Sequence, residues 1–590
     1  MIKKINIFNS KNLKLSYQDK YFHSLIIDLP VYSEDMVKSF SNIHFNPDFV
    51  QKIQEIFDSS LQLICDKGLL FIYGSPSQLM KCYEYIPDGF KFRYWIAIDS
   101  INTIEKKAKN HLKHNHLGIL MLSKGGQFLE LDTKNTRIDY IACSACKRNI
   151  KDWGGKKHLM NIKGTGISDV WKDFYDIQKT VNDPDNNNIS LNIIDYQSSN
   201  NYFDYGRMPD KVLKRLLALL KEEERNILYL NIDKEYIAPL NLTSKPRPAD
   251  KIFVDSSRYR NKLLHGDCIA KMEEIAREYP DGIFDLVFAD PPYNLDKSYN
   301  KYNDELSEQQ YIEWCNKWLE LCVKLTKPTG NILILNIPKW ALEHARLLNS
   351  IAYFQNWIVW DALSLPKGKI MPAHYALLAY SKAPNGFTYN KPADIDSLEY
   401  CLRANCIKTR KNANIDNKVP VSDIWWDIHR IKHKIDRDDH PCQLPDKLMD
   451  RIIQSYSNEG DLVFDPFCGA GTTAISALKN NRKYTTIELD EYYLNITAAK
   501  LEQIEKNGKL DRVGKNNKAV SVYTKKELET KVQAYSQALG RRPTLNEFVE
   551  KFLIDIEQLK ILYPEPHRVL KAGRIALLND EKQRYLDLNF

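Results

Sequence analysis

Val463-Phe464-Asp465-Pro466-Phe467-Cys468-Gly469-Ala470-Gly471-Thr472-Thr473 is the stretch that decides the fold. It opens as an apolar strand, turns through two glycines and runs on into an apolar helix start. Tyr484-Thr485-Thr486-Ile487-Glu488 then reads as a second strand ending in an acid. Strand, Gly-rich turn, helix and acid-terminated strand form the nucleoside-binding unit of a Rossmann-type sheet. Glycine lets the backbone approach a ligand closely, and the acid suits ribose hydroxyls. The third glycine of the dinucleotide fingerprint is missing, which disfavours NAD.

Working outward, Phe284-Asp285-Leu286-Val287-Phe288-Ala289 reads as a buried parallel strand, and it ends in Asp290-Pro291-Pro292-Tyr293. Open α/β sheets bind ligands at such strand ends. The prolines stiffen the turn and leave carbonyls to accept hydrogen bonds. The aspartate is a further acceptor and the tyrosine a flat face, so the four residues describe a socket for a planar amine. Alone, the tetrapeptide is equally a Pro-rich turn after a core strand. Paired with the Gly-rich unit, it resembles the catalytic motif of the amino-group DNA methyltransferases, which methylate adenine N6 or cytosine N4.

That resemblance implies S-adenosylmethionine as cofactor and Asp290, Pro291, Pro292 and Tyr293 as catalytic residues. Catalytic motif first and cofactor motif last is the order of the β class. The implied fold is α/β: a doubly wound, Rossmann-like methyltransferase sheet, seven-stranded and circularly permuted. Lys262-Leu263-Leu264-His265-Gly266-Asp267 resembles the strand whose acid lies near the cofactor adenine, followed by Cys268. His440-Pro441-Cys442-Gln443-Leu444-Pro445 resembles the segment that closes over the methionine end, although Leu444 stands where Lys or Arg is usual. The implied cofactor set is Asp267, Cys268, Asp290, His440, Gln443, Asp465, Pro466, Phe467, Gly469, Gly471, Thr472, Thr473 and Glu488. Carbon-5 methylation of cytosine needs an attacking cysteine, and the sole Pro-Cys pair, Pro441-Cys442, falls in the cofactor-closing segment. An Asp at the head of the motif leans toward adenine N6. Cytosine N4, RNA adenine, and a non-catalytic DNA-binding protein are the alternatives.

The chain has 590 residues, enough for several domains, with 43% hydrophobic and 27% charged residues as in ordinary globular proteins. A net charge of +8 has the sign a nucleic-acid partner requires. Eleven scattered cysteines, no secretion signal and no long apolar span lead us to expect a cytoplasmic protein with no membrane partner. By resemblance the partner is double-stranded DNA, with a cognate restriction endonuclease in a restriction-modification or epigenetic modification system.

The first half repeats the landmarks of the second. Asp28 to Gly68 spans 40 positions (68−28), as does Asp290 to Gly330 (330−290). Asp28 to Trp95 spans 67 (95−28), as does Asp290 to Trp357 (357−290). His116–Lys124 parallels His374–Lys382, Ser168-Asp169 parallels Ser422-Asp423, and Pro209-Asp210-Lys211 parallels Pro445-Asp446-Lys447. A duplication accounts for equal spacings in one order better than two unrelated domains do. In the first copy Leu29 and Val31 replace Pro291 and Tyr293, and no Gly-rich turn follows Asn226–Leu230. Residues 1–233 are therefore expected to be a degenerate, non-catalytic copy. A linker follows at 234–255, the catalytic domain at 256–510 and a helical domain at 520–590. The functional form is a monomer with an internal pseudo-dimer, or a homodimer.

Three regions carry further expectations. Cys143 and Cys146 have the spacing of half a tetrahedral zinc site, with His158 as a third ligand and no evident fourth. The other reading is a basic loop with two thiols. Lys151, Lys156, Lys157 and Trp153 beside them suit a phosphate backbone and base stacking. Between 383 and 420 regularity fades into a basic segment with Arg403, Lys408 and Arg410, where the family places target recognition. Beyond 510, helices at 525–539 and 545–552 flank Gly540-Arg541-Arg542-Pro543-Thr544. They resemble a small helix-turn-helix module, with a packing or dimerisation role as the alternative.

Overall fold

The computed structural model describes residues 2–7, 22–31, 47–99, 111–134, 136–150, 161–172, 208–221, 226–233, 236–237, 254–295, 306–362, 370–384, 387–401, 403–415, 418–430, 443–507, 523, 525–554, 556–563 and 565–573. Two compact units emerge, Met1–Lys251 with Pro328–His429, and Ile252–Lys327 with Arg430–Phe590. Packing thus groups the residues differently from the 256–510 span expected of the catalytic domain, because 328–429 packs with the first half. Most of the expected linker at 234–255 lies outside the described residues.

In the first unit a seven-stranded sheet has the order Ile2–Ile7, Ile227–Ile232, Phe22–Asp28, Ile64–Gly74, His116–Lys124, Phe90–Asp99, Val170–Trp171. The first four strands are mutually parallel, and His116–Lys124 runs antiparallel to both its neighbours. Runs such as Leu25-Ile26-Ile27 and Ile119-Leu120-Met121 are wholly buried, as strands covered on both faces require. Four strands from the later segment form a second ladder, Thr326–Asn336, His374–Ser381, Tyr353–Asp361 and Ile424–Trp425. The hairpin expected at the edge of this ladder forms, but Ile424–Trp425 pairs outside it.

The two hairpins of this unit share their irregularities. A bulge falls between Phe92 and Tyr94 in one and between Phe354 and Asn356 in the other. Asp99 faces His116 and Asp361 faces His374. The Trp95 and Trp357 rings stack at 3.9 Å. Each indole N–H donates to a histidine at 3.0 Å, Trp95 to His116 and Trp357 to His374. Burial lowers the His116 pKa to about 4 and holds His374 well below the ordinary histidine value, so both accept as neutral rings. Asp423 accepts the Asn115 and His116 amides at 2.7 and 3.0 Å, and Asp169 accepts those of Ala373 and His374 at 2.7 and 3.1 Å. The segment 383–420 is more regular than expected. It holds the helix Ala404–Asn412 and an antiparallel pair, Ile395–Asp396 with Lys418–Val419.

In the second unit four strands lie parallel in the order Lys262–His265, Lys483–Glu488, Leu462–Asp465, Phe284–Ala289. Cys268–Glu278 packs with Glu308–Leu325, and Thr472–Lys479 packs between Asp446–Tyr456 and Glu491–Asn507. Ser307 caps Glu308–Leu325 in a reciprocal box with Gln310. The last helices, Lys525–Leu539, Leu545–Phe552 and Ile556–Leu562, bury Leu528, Val532, Leu545, Phe548 and Leu559 against one another. No helix among the described residues is long and apolar enough to cross a membrane.

Candidate active site

Leu462–Asp465 and Phe284–Ala289 are neighbouring parallel strands, with Leu286 beside Val463 and Val287 beside Phe464. Parallel neighbours end at the same edge, so Asp290 and Asp465 both emerge there. Their chains then leave into different helices, Thr472–Lys479 and Glu308–Leu325, and a crevice opens between them. This cleft encloses about 1180 Å³ including its mouth.

The Gly-rich turn is shaped from below. Asp465 is buried and accepts the Phe467 amide at 2.8 Å and the Thr473 hydroxyl at 2.5 Å. Burial raises its pKa to about 6. Both of its oxygens are thus engaged in holding the turn. Gly469 and Gly471 have φ of 52° and 83°, the left-handed region where glycine is favoured. A Cβ on Gly471 would come within 2.4 Å of Thr497. Glu488 accepts the Gly469 amide at 2.7 Å and the Asp490 amide at 2.9 Å, one on each oxygen. Burial pushes its pKa up to about 7, against the pull of those two amides. A carboxylate has about four acceptor positions, so two remain for hydroxyls.

The other wall is the Asp290–Tyr293 turn. The Tyr293 hydroxyl donates to Asp290, and the residue is only 7% exposed. Tyr311 donates to the Pro292 carbonyl at 2.6 Å, which anchors the second proline. Asn294, at φ 52°, exchanges two hydrogen bonds with Leu306, at 2.8 and 2.9 Å, closing the loop after the motif. Trp314 lines the cleft and meets Phe467 at 5.8 Å, while buried Trp318 packs edge-on to Phe467 at 5.2 Å.

Of the cofactor set, Asp267, Cys268, Asp290, Gln443, Asp465, Pro466, Phe467, Gly469, Thr472, Thr473 and Glu488 line this one cleft. Gly471 supports the turn behind it, and His440 lies outside the described residues. Asp267 also caps the helix Cys268–Glu278 through the Ala270 amide at 3.0 Å. Leu444 lines the cleft where the family has a cation. Trp314, Leu489, Asp490 and Tyr493 join the wall unanticipated. Tyr311, Trp314, Trp318 and Cys322 recur at helical spacing, a signal that sequence reading assigns to core rather than to a site.

Several residues expected at DNA are placed otherwise. Arg410 is buried, paired with Asp396 at 2.9 and 3.2 Å and set over the Tyr400 ring. Its charge is committed inside the fold, so the phosphate contact expected of it is withdrawn. Arg542 is likewise buried, and Arg541 forms a two-pronged pair with Glu547 at 2.8 and 3.0 Å. Arg403 donates to the Asn149 carbonyl at 2.7 Å. Lys408 stands exposed. Lys151, Trp153, Lys156, Lys157 and His158 lie outside the described residues.

A family model described as DNA methylase, of the N6/N4 type, matches residues 284–499. The Type II methyltransferase M.BamHI of Bacillus amyloliquefaciens is 37% identical over 256 residues, covering 42% of this chain and 59% of that protein. The Type II methyltransferase M.HpaI of Haemophilus parainfluenzae is 31% identical, covering 38% of this chain and 69% of that protein. The DNA adenine methyltransferase YhdJ of Escherichia coli K12 is 29% identical, covering 42% of this chain and 86% of that protein.

Proposed function

The chain belongs to the N6/N4 DNA methylase family, and from that premise we propose that it methylates adenine N6 in DNA with S-adenosylmethionine as donor. One observation carries the reading: the Asp290–Tyr293 turn and the Gly-rich turn end adjacent strands and face one cleft. Cofactor and base would thereby meet in that cleft. The residues present fit the cofactor. Gly471, packed against Thr497, holds the Gly-rich turn at the cleft in a shape only glycine favours, and Glu488 offers a carboxylate to ribose hydroxyls. The cofactor supplies an electrophilic sulfonium methyl group.

The chain's own part is alignment and electrostatics. Adenine N6 is a poor nucleophile because its lone pair is delocalised into the ring. Asp290 and the Pro291 carbonyl accept its two N–H bonds and return electron density to nitrogen. Tyr311 holds the turn in place through the Pro292 carbonyl. As the new N–C bond forms, the displaced N–H proton leaves through Asp290 to solvent. The target base must first leave the duplex, and Tyr293 stacks on it once its hydroxyl yields Asp290. Adenine is favoured by the Asp that opens the motif and by the similarity to YhdJ. Similarity to two Type II methyltransferases supports a restriction-modification role.

We further read 1–233 as a degenerate methyltransferase copy and the helices beyond 520 as a DNA-binding module. The shared bulges, the stacked Trp95 and Trp357 and the reciprocal Asp169 and Asp423 bonds support a duplication that pairs with itself. The test of function is methyl transfer from labelled cofactor into unmodified genomic DNA, followed by nucleoside digestion and mass spectrometry. N6-methyladenine is expected. N4-methylcytosine would overturn the base assignment, and no transfer to DNA by a cofactor-bound protein would overturn the substrate.

A further inference from the structure

Cys143, Cys146, Cys401 and Cys406 converge within the first unit, although more than 250 positions separate the two pairs in sequence (401−146 = 255). Their four sulfurs lie within 4.8 Å of one another. Cys143 and Cys406 are 3.7 Å apart, and Cys146 and Cys401 are 3.6 Å apart. Around a tetrahedral zinc with Zn–S bonds of about 2.3 Å, neighbouring sulfurs sit about 3.8 Å apart. A disulfide requires about 2.05 Å. Both pair distances lie close to such a tetrahedral edge and far from a disulfide, and the four sulfurs together stay within reach of one ion.

Backbone shape supports the same occupant. Ala142 bridges Asn149, Cys143 donates to the Arg148 carbonyl at 2.7 Å, and Ile150 donates to Ile141 at 2.8 Å, so 141–150 is a tight hairpin. Lys147 follows the second cysteine at φ 56°, a left-handed residue that curls the Cys-x-x-Cys turn round on itself. The Cys401 amide donates to the Cys143 sulfur at 3.4 Å, a bond that favours a sulfur bearing negative charge. Cys406 sits in the first turn of Ala404–Asn412, where the helix dipole also favours an anion. Ser144 donates to the Glu399 carbonyl at 2.9 Å, tying the two loops beside the cluster.

Four thiolates around a dication leave a net charge of −2, and cations gather at the cluster. Arg410 is buried over Tyr400 next to Cys401, and Arg403 spans to the Asn149 carbonyl. The local apolar cluster is small, formed by the cysteines with Tyr400 and Ile150 packed on them. Loops with so little core need a cross-link to hold one shape.

We propose that Cys143, Cys146, Cys401 and Cys406 bind one structural zinc ion, which staples the 141–150 hairpin to the 395–419 segment. Binding releases the four thiol protons to solvent, and all four positions are filled by protein, so the ion takes no substrate. Purified full-length protein should carry one zinc per chain that resists dialysis against a weak chelator. Cobalt exchanged for zinc should show the sulfur-to-metal charge-transfer band and intense visible bands of a tetrahedral four-thiolate site. Cys146→Ser and Cys401→Ser should each lose the metal, whereas Cys65→Ser should keep it. Wild-type protein without metal, or with zinc that dialyses away, would overturn the proposal. So would an intact mass showing the Cys143–Cys406 and Cys146–Cys401 pairs oxidised to disulfides. Because these readings come from the wild type, misfolding of a variant does not blur them.

Discussion

Gly471→Ala tests the Gly-rich turn where it packs most tightly, against Thr497 behind the cleft. Gly471 adopts φ 83°, and a Cβ there would stand 2.4 Å from Cγ2, 2.6 Å from Oγ1 and 2.9 Å from Cβ of Thr497. Left-handed backbone costs a non-glycine residue about 1–2 kcal/mol. Overpacking a buried site adds about 1–3 kcal/mol, for a total of about 2–5 kcal/mol. The turn relieves that strain by swinging away from Thr497, which carries the Gly469 amide off Glu488. Hydrogen exchange across 463–488 and calorimetric titration with S-adenosylmethionine read the two consequences, faster exchange and weaker binding. Adding Thr497→Ala removes Cγ2 and Oγ1 but keeps Cβ. It should restore part of the packing loss and none of the backbone strain, with a coupling of about 0.5–3 kcal/mol between the sites. Wild-type exchange and affinity in Gly471→Ala would refute the reasoning, as would strict additivity of the two changes.

Tyr293→Ala removes the stacking face, worth roughly 1–3 kcal/mol. Its kcat/KM on duplex DNA should fall about 5- to 150-fold while cofactor affinity holds, and a mismatched target base should recover part of the loss. Burial lifts Glu488 from 4.5 to about 7, so the folded chain binds this proton more tightly than the unfolded chain. Its contribution to folding is full below 4.5 and is lost as pH rises through about 7. Ribose hydroxyls need the ionised acid, so cofactor affinity moves the opposite way and should rise between about pH 6 and 8, a slope that Glu488→Gln abolishes. Tyr311→Phe frees the Pro292 carbonyl, a bond worth about 0.5–1.5 kcal/mol. Steady-state kinetics should show a lower kcat with little change in cofactor affinity.

The cleft was legible because its residues are fixed by local turn chemistry. Strand, Gly469, Gly471 and a terminal Glu488 follow one another within a single βαβ unit, and Asp290–Tyr293 is contiguous. Trp314 and Tyr493 escaped because a helical aromatic that lines a cleft has the same spacing as one that fills a core. The four-cysteine cluster was half visible, since Cys-x-x-Cys is local but Cys401 and Cys406 join it only through tertiary packing. Charge proved the least readable quantity. Arg410, Arg541 and Arg542 stand in basic stretches, yet the fold pairs or buries all three, because composition records charge and not its partners. Regularity in 383–420 was missed for a related reason, as the helix Ala404–Asn412 is polar on most faces and carries almost no amphipathic signal.

The most direct test of the central claim is single-turnover methyl transfer by wild type and Asp290→Ala, with cofactor affinity measured in parallel on the same preparations. If the Asp290–Tyr293 socket and the Gly-rich cradle act on one base and one donor, wild type should form N6-methyladenine. Asp290→Ala should then form none while binding the cofactor nearly as tightly. Transfer by Asp290→Ala at the wild-type rate would contradict the account.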